Sequence, residues 1–269
     1  MSLSQTHSLS EILTIIKQDK NLSQANLQNM DLSGLDLSGV NFTKANLIGV
    51  DFCKANLSGA NFQYADLRGV NLKNANLNNS NLENVLLHRG LLQGCNLTNA
   101  NLDGAKLILA YYDSETKWPD NFDYKKSGAV GPQASLSGVF LNTANLRNVD
   151  LTGANLRGAY LSGADLTEAN LTRVAFSGAN LKYAFLTGAN LQDAIFVGAE
   201  LEGADLRGCN LKGTNFENLN SIAGADFSFA QGLDEKTLAI LSSFPPQELN
   251  TWNAFTRNNT KTSLSLNDQ

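Results

Sequence analysis

From Leu22 onward every fifth residue is Leu or Phe: Leu22, Leu27, Leu32, Leu37, Phe42, Leu47 and so on to Leu107, eighteen in succession, with Tyr112 closing the run. The pattern restarts at Leu136 and reaches Phe216 with seventeen more and no miss. Two residues before nearly every one stands a small or modest apolar residue, such as Ala25, Val40, Ala60, Cys95, Ala154, Val174 or Cys209, and between the two there is usually Asn or Asp. An α-helix needs an apolar period of about 3.6 and a continuous strand one of about 2, so a period of five fits neither. Within one unit the order small, polar, large places the first and third residues on one side, as in a strand. Because five is odd, an uninterrupted strand would throw the next Leu outward, and the chain must turn a corner once per repeat to keep every Leu inside. Gly ends many units, as at Gly39, Gly59 and Gly163, and suits such a corner. A closed coil with short flat sides follows. Stacking holds it together, since one repeat alone buries nothing.

Units such as Ala25, Asn26 and Leu27, repeated at 45–47, 55–57 and 154–156, resemble those of the pentapeptide-repeat proteins, and the resemblance covers about 190 of the 269 residues. It implies an all-β fold: a right-handed quadrilateral parallel β-helix, or solenoid, with four repeats per coil. Thirty-six units would then give about nine coils, and stacking at roughly 4.8 Å per coil a rod on the order of 43 Å.

The breaks in the pattern set the expected organisation. Residues 1–20 read as an N-terminal capping helix, with Ser8 to Glu11 as a capping box and Leu9, Ile12, Leu13 and Ile16 as the apolar stripe of a helix over about 9–19. Two blocks of repeats follow, 21–112 and 134–230, separated by an inserted loop, 113–133. After Phe216 the phase slips by one residue to Ile222 and Phe227. Residues 231–256 read as a helical cap: Asp234 starts a helix that Pro245 and Pro246 stop, with a second short helix near 247–255. The polar tail, 257–269, is expected to be disordered. An open end coil is a sheet edge that invites association, which is why both flanks read as covers. The N-terminal helix has no aromatic anchors and few cations, so capping is favoured over membrane docking.

The inserted loop carries Trp118, Phe122, Tyr124, Lys125 and Lys126. Phe140 and Tyr160, twenty residues apart, replace Asn or Asp at outward positions, as do Leu86 and Leu91; Ile108, Leu109 and Tyr111 are also apolar where the pattern is polar. Two readings stand. Either these residues form a docking surface for the loop's aromatics, or they are an exposed partner site, and Trp118, Phe122, Tyr124, Lys125, Lys126, Leu86, Leu91, Phe140 and Tyr160 are its candidate residues. The loop from Asp113 to Asp123 resembles one in cyanobacterial members of the family.

Chemistry is hard to assemble from what remains. His7 and His88 are the two histidines, and His88 beside Arg89 on a repeat face reads as an exposed side chain and not a general base. Neither a dinucleotide fingerprint nor a phosphate loop occurs, and the glycines recur at corners. The aspartates Asp31, Asp36, Asp51, Asp66, Asp150 and Asp165 occupy the outward slot, where local hydrogen bonding is expected of them. Cys53, Cys95 and Cys209 lack metal-ligand spacing, and their odd number suits a reducing compartment. No catalytic, cofactor or metal site is therefore expected. A net charge of -5 and no basic patch argue against direct nucleic-acid or membrane binding. No apolar stretch approaches the roughly 20 residues of a membrane span, and the expected location is the cytoplasm.

The reading that results is a non-catalytic protein-interaction or regulatory scaffold with an unknown protein partner; family members that modulate a transcriptional regulator of cell differentiation are one precedent. The resemblance also implies an alternative, a DNA-mimic modulator of a type II topoisomerase such as gyrase. Charge counts against it. Residues 21–112 hold 6 acidic and 6 basic side chains and residues 134–230 hold 9 and 6, a weak field beside duplex DNA, which carries one charge per roughly 1.7 Å of axis. An acidic bias is confined to 193–226, where Asp193, Glu200, Glu202, Asp205, Glu217 and Asp226 face Arg207 and Lys212.

Overall fold

Five backbone N–H groups per repeat need acceptors, and one repeat shows where each goes. In the unit Val40 to Lys44, Val40 N donates to Leu37 O (3.2 Å) and closes the corner. Asn41 N donates to Lys20 O of the preceding coil (2.8 Å), while Phe42 N and Lys44 N donate to Asn61 O (2.7 Å) and Gln63 O (2.9 Å) of the following one. Thr43 N has no backbone partner and takes the side-chain Oδ1 of Asn41 (3.0 Å). The same bond recurs from Ser33 to Asp31, Gln63 to Asn61, Arg157 to Asn155 and Lys212 to Asn210. The Asn or Asp before each large apolar residue is there to satisfy the donor that the coil's ladder leaves out.

The computed structural model describes residues 8–265. Parallel bridges join residues twenty apart, Asn21 to Asn41, Asn41 to Asn61, Asn61 to Asn81 and so on, so four repeats make one coil and each side contributes a single bridging residue between turns. The chain divides between Val130 and Gly131 into two compact units. In both, the large apolar residue of each repeat and nearly all of the small ones are almost completely buried. Fully burying each Leu or Phe contributes roughly 1.5–3 kcal/mol, set against the entropy of ordering the chain. Phe residues stack in columns: Phe42 on Phe62 at 5.0 Å in the first unit, Phe176 on Phe196 at 5.0 Å and Phe196 on Phe216 at 5.2 Å in the second.

The corner residue two places after each large one adopts positive φ in every repeat, whether or not it is Gly: Gln24, Lys44, Tyr64, Arg89 and Leu109 in the first unit, Glu168, Arg173 and Tyr183 in the second. A left-handed non-Gly residue costs roughly 1–2 kcal/mol. The ladder bonds on either side and the closing turn bond over-determine the conformation.

In the first unit, helix α1 (Leu9–Gln18) starts at Ser8 in a reciprocal capping box with Glu11 and buries Ile12 and Ile16. Leu22, Leu27, Leu32 and Leu37 are fully buried although no coil precedes theirs. The insert is shorter than the sequence pattern implied. Lys117 bridges Asn96 and Val130 bridges Tyr111, so both ends of 113–133 belong to the coil ladder and the true departure spans about 118–127. Sequence periodicity missed this because a single extra residue, taken up around Asp113, shifts the phase without breaking the ladder. Asp113 Oδ1 accepts from Gly94 N, Glu115 N and Thr116 N and so builds the local turn.

In the second unit the slip after Phe216 is absorbed at Asn218 to Asn220, and the bridge spacing becomes 21, from Glu200 to Ser221 and Asp205 to Asp226. Helix α2 (Glu235–Ser242) is capped by Asp234; Pro246 then opens α3 (Pro246–Leu249) instead of merely ending a helix. No helix follows over the rest of 247–255, since β1 (Trp252–Asn253) pairs antiparallel with β2 (Asn258–Asn259). The tail expected to be disordered is instead helical over α4 (Thr260–Ser265). Its polar side chains are used by the last coil: Thr260 Oγ1 donates to Ile222 O and Ser263 Oγ accepts from Phe227 N, while Leu264 is buried. Composition could not reveal that, because the ordering comes from side-chain bonds to the backbone of the coil edge. His7 and residues 266–269 lie outside the described residues.

Candidate interaction surfaces

The insert's aromatics pack on one another. Trp118 stacks with Tyr124 (5.3 Å, 3°) and with Phe122 (5.6 Å), and Tyr112, the last large residue of the first block, meets Trp118 and Tyr124 edge-on at 5.4 and 5.5 Å. A 3-10 turn, Tyr124–Lys126, ends the cluster; Lys125 Nζ lies 5.9 Å from the Tyr124 ring centre and Lys126 pairs with Asp123 at 3.2 Å. Trp118, Phe122 and Tyr124 are half-buried, while Lys125 and Lys126 are exposed. Between Pro119–Phe122 and the coil at Asn99–Asp103 lies a cleft of about 450 Å³. Asp103 and Asp120 line it, but no group of three or more His, Cys, Asp or Glu among the described residues is placed to hold a metal ion.

Leu86 and Leu91 belong to neighbouring sides of the first unit, Leu86 bridging Asp66 and Lys106, Leu91 bridging Asn71 and Tyr111. Phe140 and Tyr160 bridge one another in the second unit, their rings stacked at 4.6 Å and 4°, with 71% and 44% of their surface exposed. None of these four carries an oxygen for the N–H two residues on. The local bond that the repeat supplies elsewhere is therefore given up at each.

Of the nine candidates the structure brings Trp118, Phe122, Tyr124, Lys125 and Lys126 into one cluster and Phe140 and Tyr160 into one pair. Leu86 and Leu91 sit in separate columns.

The profile of pentapeptide repeats matches this chain in eight copies, over residues 21–59, 54–89, 81–110, 132–163, 144–182 and 184–220. The chain belongs to the pentapeptide-repeat family. Among solved structures it is similar to HetL, a pentapeptide-repeat protein involved in heterocyst differentiation regulation from the cyanobacterium Nostoc sp. strain PCC 7120, at 29% identity over 82% of this chain and 97% of HetL, with a TM-score of 0.40. It is similar to alr5209 of Nostoc PCC 7120 at 30% identity, over 46% of this chain and 95% of that one, TM-score 0.24. It is also similar to QnrB1, a plasmid-mediated fluoroquinolone resistance protein, at 19% identity over 81% of this chain and 95% of QnrB1, TM-score 0.32. Comparison with curated proteins gives no match.

In this pentapeptide-repeat chain, Cys95 and Cys209 fill the small inward slot, where burial pushes both thiols up, that of Cys209 to about 12, and makes them poor nucleophiles. Asp205 and Asp226, bridge partners in successive coils, are buried rather than outward. Arg207 holds Asp205 with two bonds of 2.8 and 2.7 Å, and Ser228 donates to Asp226 from both its N–H and its hydroxyl. They are structural carboxylates at the covered end of the unit.

Sequence reading missed a second aromatic cluster. Tyr183, Phe185, Glu202, Gly203, Trp252 and Phe255 line a cleft of about 300 Å³ in the second unit. Phe185 and Phe255 meet at 4.9 Å and 69°. A signal was present: Phe185 occupies the Asn/Asp slot, the same breach of pattern that singled out Phe140. What periodicity could not supply was the return of Trp252 and Phe255 from a non-repeating segment. Among the described residues no helix is long and apolar enough to cross a membrane.

Proposed function

We propose that the chain is a non-catalytic protein-interaction or regulatory scaffold of a reducing, cytoplasmic compartment: a right-handed coil stack capped by α1 and by the C-terminal elements, engaging its partner through the 113–133 segment and through Leu86, Leu91, Phe140 and Tyr160. One observation carries the reading. At Phe140 and Tyr160 the repeat gives up its local Asn or Asp bond for two stacked, exposed rings, and an exposed apolar pair on an otherwise polar wall is the usual mark of a contact surface. The half-buried rings of the insert and its exposed Lys125 and Lys126 offer a second contact of mixed character.

The immobilised chain is expected to retain a specific protein from a lysate, and Phe140→Ser with Tyr160→Ser, or replacement of 118–127 by a short linker, to release it. If binding survives all three changes while thermal stability falls, the insert and the ring pair are only packing. The topoisomerase reading rests on the acidic bias of 193–226 and predicts inhibition of DNA supercoiling by the purified chain; such inhibition, with no partner retained, would replace the scaffold reading.

A further inference from the structure

The second aromatic cluster has the chemistry of a cation seat. Trp252, Phe255 and Tyr183 are 61%, 64% and 56% exposed, yet the wall that carries them is fixed. Asn253, buried between Trp252 and Phe255, donates from Nδ2 to Gly203 O (3.1 Å) and Gly224 O (2.9 Å) and accepts at Oδ1 from Phe255 N (2.9 Å) and Thr256 N (3.2 Å). All of its polar capacity goes into holding this segment against the coils. On the opposite wall Tyr183 lies over Gly203, where any Cβ would collide with the ring, and its hydroxyl donates to Glu202 Oε1 at 3.1 Å. Three large rings are therefore held open to solvent at the cost of exposed apolar surface.

On the Tyr183 side of the cleft the charge is negative. Lys182 Nζ lies 3.2 Å from Glu202 and 3.4 Å from Glu200, so one cation serves two carboxylates and one negative charge is left over. Arg207 is taken by Asp205. Among the described residues no Lys or Arg of the chain is placed over these rings; the cation over an aromatic face is Lys125 on Tyr124, in the other unit. Ring faces attract cations, most strongly where a carboxylate adds to their field, and a cleft of about 300 Å³ suits one long side chain.

We propose that the cleft between Tyr183, Phe185, Trp252 and Phe255, with Glu202 at its edge, receives a lysine or arginine side chain of a protein partner. The assignment rests on reading the chain as a protein-interaction module and names the chemistry of one contact.

The chain's two tryptophans, Trp118 and Trp252, lie one in each unit, which supplies an internal control. In a titration of the full chain followed by the two indole N–H resonances, a short uncharged peptide carrying one lysine, its arginine counterpart and tetramethylammonium chloride are each expected to shift the Trp252 signal saturably and leave Trp118 in place. The same peptide with glutamine should shift neither signal. Trp252→Leu is read on neighbouring amides, and it and Glu202→Gln should each weaken binding about 2- to 30-fold with unchanged melting temperature. Equal response to the glutamine peptide, no response to the cations, or a Trp252 shift that depends on the chain's own concentration would overturn the proposal, the last in favour of a second copy. A lysate partner retained equally by Glu202→Gln and Trp252→Leu would overturn it while leaving the scaffold reading intact.

Discussion

Asn and Asp serve the same local bond in this fold but respond differently to acid. At Asp31 the Ser33 hydroxyl and then its N–H, and at Asp36 the Ser38 N–H and then its hydroxyl, hold the carboxyl below its ordinary value of 3.8. A carboxylate with a lowered folded pKa adds stability that is present above the unfolded value and is lost as pH falls through the folded one. Below about pH 3.8 these two corners should therefore weaken, whereas the equivalent corners at Asn41 and Asn61 should not. The double variant Asp31→Asn, Asp36→Asn is expected to lose less melting temperature than the parent between about pH 5 and pH 2.5, followed by circular dichroism. An identical acid slope would remove the carboxylates from the account. The residue scale also shows what the sequence concealed: the Asn/Asp slot was legible as outward and hydrogen-bonded, but the donor it serves could be named only once the ladder had used three of the others and the closing turn the fourth.

The elements at the ends answer a need that repeats create. A last coil has no successor to accept its N–H groups, and the chain supplies side chains instead. Glu248, from α3, accepts at Oε2 from Ser221 Oγ (2.9 Å) and Ile222 N (3.0 Å), and Ser263, from α4, accepts from Phe227 N (3.1 Å). Hydrogen bonds to a charged acceptor contribute roughly 1.5–3 kcal/mol. Glu248→Ala should thus cost about 1–3 kcal/mol in chemical denaturation and, by freeing a coil edge, promote self-association on size-exclusion chromatography; Glu248→Gln should recover most of the loss. If the alanine variant were as stable as the parent, Glu248 would be an incidental neighbour of the edge. The helix α1 was readable from its capping box and stripe because those signals are local. Helix α4 was not, because its Thr260, Ser263 and Leu264 acquire partners only when the chain returns to Ile222 and Phe227.

At the scale of the whole molecule, each unit carries its own ladder and its own core, and order should follow the ladder. Amide hydrogen exchange is expected to be slowest at inward positions of interior coils, such as Leu57, Phe62, Leu161 and Leu181, whose N–H groups bond the next coil. It should be much faster over 119–127, where few backbone bonds hold the chain despite the stacked rings. Protection of 119–127 equal to that of the coils would show the insert to be as rigid as the ladder and would weaken its role as an adaptable contact. Formal charge agrees with a structural use of the aspartates in the repeat slot, for Asp31, Asp36, Asp51 and Asp150 are engaged by corner N–H groups and Asp66, Asp165 and Asp205 also by Arg68, Arg147 and Arg207.

A five-residue period fits neither a helix nor a continuous strand, so the sequence alone determined which residues face inward, where corners fall, and that the array is interrupted once and slips once; that four repeats close a coil is decided by the bridges between residues twenty apart. Those features depend on contacts repeated identically along the chain, and repetition writes them into the sequence many times over. Tertiary structure alone decided the features that occur once. It placed Lys117 and Val130 within the ladder, turned a polar tail into part of an end cover, buried Asp205 and Asp226, and brought Trp252 and Phe255 up to Tyr183 and Phe185. Each joins residues remote in the chain through a side chain with no periodic counterpart, and no reading of period or composition carries that information.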